Sequence, residues 1–239
     1  KHGVASIEEL LNLKSEYARK LDEKELASGR IEEIELEIKD LKEQLRALGD
    51  SLHKNREAAL PEFTDKMVKT LAELEMKNTR LRVSLEKGEE LLRNGMDELE
   101  FEISSDKGVT FERIGRIASG GEMSRLMLAV KFILSEYASL PAIIFDEIDS
   151  GVSGEVSNRI ADLLLRMSAN MQVISITHLP QVASKGQQHY QVYKKEAEEG
   201  ITTNIKRLND DERLVHLAEM LGGSKVTDSA LAHARQLLS

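Results

Sequence analysis

The sequence has no cysteine and no tryptophan, and aromatic residues make up only 4% of its 239 residues. Without cysteine, neither a disulfide framework nor a thiolate metal site can form. No apolar run approaches the roughly 18 residues that a membrane-spanning helix needs, and no secretory signal is visible. Charge is abundant instead, at 31% of residues. Many Glu, Lys and Leu residues with few aromatics favour long helices.

Acidic residues outnumber basic ones, with 42 Asp and Glu against 33 Lys and Arg and a formal net charge of -9. This balance argues against a uniformly basic DNA-binding surface but leaves room for a local basic patch. The chain begins with Lys1 in a helix-like context rather than with Met. We therefore interpret it as a fragment whose natural start lies elsewhere.

Residues 1–95 are predicted to form a helical coiled-coil arm. Apolar residues alternate three and four positions apart, as coiled-coil a and d positions do, with charged residues between them. They are Ile31, Ile34, Ile38, Leu41, Leu45, Leu48 and Leu52. We expect an earlier helical piece ending near residues 27–29, a phase slip at Pro61 and a resumed stripe over 67–92. An ordinary helical bundle is the alternative, and either arrangement needs a partner helix.

Residues 96–239 are predicted to form an α/β domain. Short apolar strands alternate with helices at a spacing typical of a parallel sheet, with a hairpin before them and an edge hairpin after them. The predicted strands are 99–103, 109–114, 142–145, 172–176, 188–195 and 201–208. The predicted helices run from the glycine turn at 119–121 to about Tyr137, over about 154–168, and on both sides of Gly222-Gly223.

The first candidate site is a pair of glycines at a predicted helix start, within Ser119-Gly120-Gly121-Glu122. Glycine lets backbone N–H groups approach a ligand closely, and the positive end of a helix attracts phosphate. Ser119 and Glu122 also match a capping box, which many helices use only to satisfy their first amides. From these residues alone both interpretations stay open.

Two strand ends carry the other candidates. Asp146 and Glu147 follow an apolar strand, at the end where α/β proteins bind ligands. There Asp146 could hold Mg²⁺, and Glu147 could polarise a water for attack on a γ-phosphate. His178 ends the next strand along the chain. The alternatives are acids that cap the following helix and a histidine with a structural role.

The order of these motifs resembles that of ABC ATPases. Residues 119–122 are similar to the signature loop, Asp146 and Glu147 to the Walker B pair, 150–153 to the D-loop, and His178 to the switch histidine. The flanking segments resemble the RecN family of bacterial SMC-like DNA repair proteins. They are IASGGEMSR at 117–125, FDEIDSGVSG at 145–154, THLPQVA at 177–183, LAEMLGG at 217–223 and ALAHAR at 230–235. The resemblance covers nearly the whole chain.

This resemblance implies the C-terminal lobe of an ABC-type P-loop ATPase head at 96–239, joined to a coiled-coil arm at 1–95. It implies ATP and Mg²⁺ as cofactors, with Asp146 at the metal and Glu147 and His178 in catalysis. The signature loop would contact ATP held by a second subunit. The residues it assigns to nucleotide binding are Ser119, Gly120, Gly121, Glu122, Ser150 and Ser153.

One motif of the complete family pattern is missing, since no G-x-x-x-x-G-K-[ST] occurs in the chain. We therefore expect no ATPase activity from this chain alone. Its expected partner is the N-terminal half of the same protein, with the Walker A loop and the first coiled-coil arm. In the full protein the resemblance implies action at DNA double-strand breaks, DNA and a second copy as partners, no membrane, and a cytoplasmic, nucleoid-associated location.

Two other hypotheses remain open from the sequence. The chain could belong to another coiled-coil ABC ATPase, such as an SMC chromosome-condensation protein or a recombination exonuclease subunit. It could also be a non-catalytic fragment whose apolar stripe only dimerises.

Overall fold

The computed structural model describes residues 6–104, 110–116, 120–148, 152, 154–197, 200–223 and 226–239. It begins with one helix of 67 residues, α1 (Ile7–Glu73), which is about 100 Å long at 1.5 Å per residue. A three-stranded sheet follows in the order β1 (Arg80–Leu92), β2 (Gly95–Ser104) and β3 (Glu112–Arg113).

Helices and strands alternate through the remainder of the chain. After a 3-10 turn (Ile114–Arg116) come α2 (Gly120–Tyr137), β4 (Ala142–Asp146), α3 (Gly154–Met167), β5 (Gln172–Ile176) and α4 (Pro180–Lys185). The hairpin β6 (Tyr190–Ala197) and β7 (Gly200–Arg207) and the helices α5 (Asp210–Gly222) and α6 (Asp228–Leu238) complete it. β4 and β5 pair in parallel, as predicted, and β6 and β7 pair antiparallel.

The main hydrophobic core lies between the end of α1, one face of α2 and one face of α3. Its fully buried members include Met67 and Leu71 of α1, Leu74 just after α1, Leu126 of α2 and Ile160 of α3. A second, smaller cluster joins α5 and α6. The expected combination of an α/β lobe and a helical arm is thus confirmed.

The chain divides into two compact units, residues 1–59 with 85–99, and residues 60–84 with 100–239. The boundary predicted between residues 95 and 96 remains a prediction. Within the described residues, no helix is both long and apolar enough to cross a membrane.

The first unit contains a buried charge cluster. Asp97 accepts hydrogen bonds from Arg56 Nη1 at 2.7 Å and pairs with His53 Nδ1 at 2.6 Å, while Arg56 Nη2 donates to the Asn94 carbonyl at 2.8 Å. The Arg56 hydrogen bond, with a smaller contribution from His53, lowers the pKa of Asp97. Because both carboxylate oxygens are paired, the buried charge is stabilised.

The helix prediction for the arm was wrong in two places. α1 continues through residues 27–29, where we expected an end, because one glycine in a long helix costs only about 1 kcal/mol. The stripe expected over 67–92 stops at Glu73, since residues 80–92 form β1. Leu81 and Leu85 are four positions apart, a spacing that fits one face of a helix and also one face of a strand.

The hairpin prediction for 99–103 and 109–114 is confirmed in part. β2 pairs antiparallel with β3, with Glu102 opposite Arg113 and Ile103 opposite Glu112. The second strand is only two residues long, because the chain turns into a 3-10 helix at Ile114. Residues 105–109 lie outside the described part of the chain.

Candidate nucleotide site

The parallel pair β4 and β5 brings three of the candidate residues to one edge of the sheet. Asp146 lies opposite Ile176, so the carboxyl ends of the two strands meet at the same edge. Glu147 follows directly after β4, and His178 lies two residues after β5. All three side chains are exposed, so a ligand can reach them. This edge is where open α/β sheets bind ligands.

The backbone of Glu147 adopts an unusual conformation for a residue with a side chain. Its φ is 46°, in the left-handed region, and its N–H donates to the Ile176 carbonyl at 3.0 Å. Such a conformation costs about 1–3 kcal/mol and persists where neighbouring contacts impose it, often at functional sites. The hydrogen bond across the strand ends supplies that constraint and directs the chain away from β4.

His178 lies in a short turn between β5 and α4. The Leu179 N–H donates to Thr177 Oγ1 at 2.9 Å, and Pro180 then starts α4 at a position where its missing N–H costs nothing. Thr177 was not among the predicted site residues. A Thr followed three residues later by a Pro, as Thr177 is by Pro180, is the sequence signal for such a turn, because the Thr hydroxyl can accept from the backbone N–H between them.

The glycine pair opens a different element of the same unit. Gly120 is the first residue of α2 and is exposed, and no described atom lies within 4 Å of the position that a Cβ would take. The first amides of α2 are therefore accessible to a ligand, as phosphate binding requires. Glu122 lies in the first turn of α2. Ser119, Ser150 and Ser153 lie outside the described residues.

An apolar residue next to each candidate is anchored in the main core. Met123 follows Glu122, Ile148 follows Glu147 and Leu179 follows His178, and all three pack against the core cluster. Close packing of protein interiors leaves such anchors little room to move. The polar residues are therefore held in place by their neighbours, and the side chains of Glu147 and His178 are exposed to solvent.

The donor set suits a magnesium ion bound jointly with a nucleotide. Among the described residues, no group of three or more His, Asp or Glu side chains could hold a metal alone. Mg²⁺ in nucleotide sites is typically held by one or two carboxylates together with phosphate oxygens and water. Asp146 at the sheet edge can supply such a carboxylate.

Comparisons with solved structures define the class of protein. An SMC head domain with coiled coil and joint from Pyrococcus yayanosii matches 87% of this chain and 36% of its own, at 25% identity and a TM-score of 0.56. A chain from a study of ATP-driven dimerization and DNA-stimulated activation of SMC ATPases matches 72% of this chain and 99% of its own. Its identity is 22% and its TM-score 0.51, so this likeness concerns the fold. The chain has the fold of an SMC-type head lobe with its helical arm.

Comparisons with curated sequences identify the family. DNA repair protein RecN of Halalkalibacterium halodurans is 32% identical over 237 residues, 98% of this chain and 42% of the relative. RecN of Rickettsia bellii is 37% identical over 206 residues, 86% of this chain and 38% of the relative. No protein-family model matches. The chain matches the C-terminal part of RecN proteins along nearly its whole length, and it spans about two fifths of the length of these relatives.

Proposed function

We propose that this chain is the C-terminal head lobe and coiled-coil arm of an ATPase that acts in DNA double-strand break repair. The observation that carries the proposal is the sheet edge where Asp146, Glu147 and His178 come together. The order of the motifs and the similarity to RecN proteins along nearly the whole chain support it.

Each residue of the edge has a role in ATP hydrolysis under this proposal. Asp146 holds Mg²⁺ directly or through a water, and the bound ion neutralises charge on the phosphates. Glu147 orients the attacking water and accepts its proton. His178 contacts the γ-phosphate from the neighbouring strand end. The exposure of the three side chains leaves room for the nucleotide.

A second polypeptide segment must supply the loop that grips the phosphates, because the chain contains no Walker A motif. The sheet formed by β4 and β5 offers a surface for that segment. Ile144, Ile174 and Ile176 lie on one face of it and are 65%, 43% and 52% exposed. An isolated two-stranded sheet with a bare apolar face is marginally stable. The N-terminal half of the protein is its proposed cover.

The remaining roles concern the assembled protein. Gly120 and Gly121 at the start of α2, with Ser119 before them, contact ATP bound by a second copy, so that ATP joins two heads. One SMC structure with this fold comes from a study of ATP-driven dimerization and DNA-stimulated activation. DNA is the proposed macromolecular partner and the nucleoid the proposed location.

Complementation tests the proposal. The chain is mixed with an N-terminal half from the same gene that carries the Walker A loop, and phosphate release from ATP is measured with and without Mg²⁺. We expect hydrolysis only in the mixture and only with Mg²⁺, because the site is composite. Asp146→Asn should abolish it, whereas Asp162→Asn, an exposed acid on α3, should not. Hydrolysis by this chain alone, or a mixture without activity, contradicts the proposal.

A further inference from the structure

The last turns of α1 belong to the core of the lobe as well as to the arm. Met67 and Leu71 of α1, and Leu74 directly after its end, are at most 1% exposed and lie in the same core cluster as residues of α2 and α3. Phe63 packs against this cluster and lies edge-on to Phe101, with ring centroids 6.0 Å apart. We call residues 60–73 the root of α1. Any displacement of the root must therefore repack the core of the lobe.

Polar contacts attach the root to the last turn of α2. Lys66 Nζ lies 3.3 Å from Glu136 Oε2 and 3.2 Å from Glu62 Oε1. It also donates a hydrogen bond to the Tyr137 hydroxyl and lies 4.6 Å from the centre of that ring. The Tyr137 hydroxyl donates to Glu62 at 3.1 Å, which closes a network of four side chains.

A second contact attaches the root to the end of α3. Arg166 Nη1 lies 2.8 Å from Glu73 Oε2, and the Arg166 guanidinium stacks 4.4 Å from the centre of the Phe132 ring of α2. Arg166 therefore links α3, on which it lies, to both α1 and α2. A planar guanidinium that pairs with a carboxylate and stacks on a ring is held more firmly than a surface lysine.

Both α2 and α3 begin next to candidate nucleotide-binding residues and end next to the residues that contact the root. α2 starts at the glycine pair and ends with Glu136 and Tyr137. α3 starts just after residues 150–153 and ends with Arg166 and Met167. Each helix is a rigid rod, about 27 Å long for α2 and about 21 Å for α3. A shift at one end therefore moves the other, and catalysis is sensitive to shifts of about 1 Å.

We propose that Lys66 and Arg166 are positioning residues, which set the placement of the first turns of α2 and α3 by fixing the far ends of both helices to the root of α1. The inference rests on the proposed function for its catalytic consequence. Its structural part concerns this chain alone. Neither side chain lies near the sheet edge in sequence, and both act through helices rather than on the nucleotide.

Hydrogen exchange on the chain alone tests the structural part. In Lys66→Met and Arg166→Met we expect amide exchange to rise about threefold to fivefold in the second turns of α2 and α3, the first turns whose amides are hydrogen-bonded within the helix, because surface ion pairs contribute up to about a factor of five. Lys69→Met is the matched control, since Lys69 pairs with Asp65 within α1 at 2.7 Å. Lys66→Arg, which keeps the charge, should restore slow exchange. Faster exchange confined to the last turns of α2 and α3 overturns the inference.

Kinetics of the mixture with the N-terminal half test the catalytic part. For both Met variants we expect kcat to fall about tenfold while KM for ATP stays within about twofold, because positioning is lost and ground-state binding is kept. Unchanged kcat in both variants overturns the inference. If the wild-type mixture shows no hydrolysis, the proposed function fails, and the exchange experiment still decides whether the root positions the helices.

Discussion

Glu147 combines a proposed catalytic carboxylate with a strained backbone. In the described part of the chain, two residues other than glycine have positive φ, Glu75 at 61° and Glu147 at 46°. Glu75 follows the end of α1, where a left-handed residue commonly terminates a helix. Glu147 follows a strand, and its conformation depends on the hydrogen bond to Ile176. The strain at Glu147 therefore accompanies the turn that presents its carboxylate at the sheet edge.

Substitution of Glu147 by Gln should separate chemistry from binding. We expect Glu147→Gln to lower the hydrolysis rate of the mixture with the N-terminal half by about a hundredfold or more, since a general base contributes 10²–10⁴. ATP-dependent association of two heads should persist, as shown by size-exclusion chromatography. Glu147→Gln with normal turnover would remove the assignment.

His189 links the stability of the lobe to pH. Burial, with smaller effects of His216 and Arg213, lowers the pKa of His189 from 6.5 to about 4. The two imidazole rings are 5.2 Å apart at their centres. An unfolded chain binds the proton more readily, so the stability that neutral His189 contributes is present above pH 6.5 and is lost as the pH falls towards 4.

Urea unfolding at pH 7.5 and pH 5 measures this dependence. The ring is only partly buried, so we expect a loss of about 1 kcal/mol from this residue between the two conditions. His189→Gln should reduce the loss, and His233→Gln, at an exposed position on α6, should leave it unchanged. Equal pH dependence in wild type and His189→Gln would contradict the assignment.

At the scale of elements, α1 exposes the apolar stripe that the sequence predicts. Leu41 and Leu48 are 48% and 67% exposed, although they occupy coiled-coil positions. A single helix with such a stripe needs a second helix to bury it. In the proposed protein the N-terminal half supplies that helix.

Charges on the stripe should weaken the association of the two halves. We expect Leu41→Asp with Leu48→Asp to raise the Kd for the N-terminal half at least tenfold, measured by isothermal titration calorimetry, because two apolar contacts are replaced by desolvated charges. The matched control is the double variant Leu26→Asp with Leu36→Asp, because both of these leucines lie off the stripe. An equal effect of both double variants would argue against a coiled coil.

At the scale of the whole molecule, the exposed face of β4 and β5 is the clearest sign that a further layer belongs on the lobe. The opposite face carries Phe145, which is buried, and Ile143 and Val173, which pack against the core. An α/β sheet is ordinarily covered on both faces. The exposed isoleucines therefore predict a contact outside the chain.

A charge on this face should block complementation without unfolding the chain. We expect Ile174→Asp to abolish ATP hydrolysis in the mixture, while circular dichroism and the urea midpoint of the chain alone change little, because the side chain is already 43% exposed. Thr203→Asp, on the exposed hairpin strand β7, is a control for added charge. Normal hydrolysis with Ile174→Asp would show that the face stays uncovered.

Much of the lobe could be predicted from the sequence because its signals are local. Apolar strands that end at Asp146 and shortly before His178 alternate with helices, and parallel strands bring such ends together. The arm between residues 31 and 52 follows from spacing alone. The end of α1 could not be predicted in this way, since the spacing of Leu81 and Leu85 fits both a helix and a strand.

The sequence by itself determined the resemblance to RecN proteins, the order of the site residues and the helical arm, because motifs and periodicity depend on residues that are close together along the chain. Only the tertiary structure decided the positive φ of Glu147 and the pairing of the Asp97 carboxylate with His53 and Arg56. The same holds for the ion pairs of Lys66 with Glu136 and of Arg166 with Glu73. Those contacts join residues 29 to 93 positions apart. Their formation depends on how the whole core packs, which no local pattern encodes.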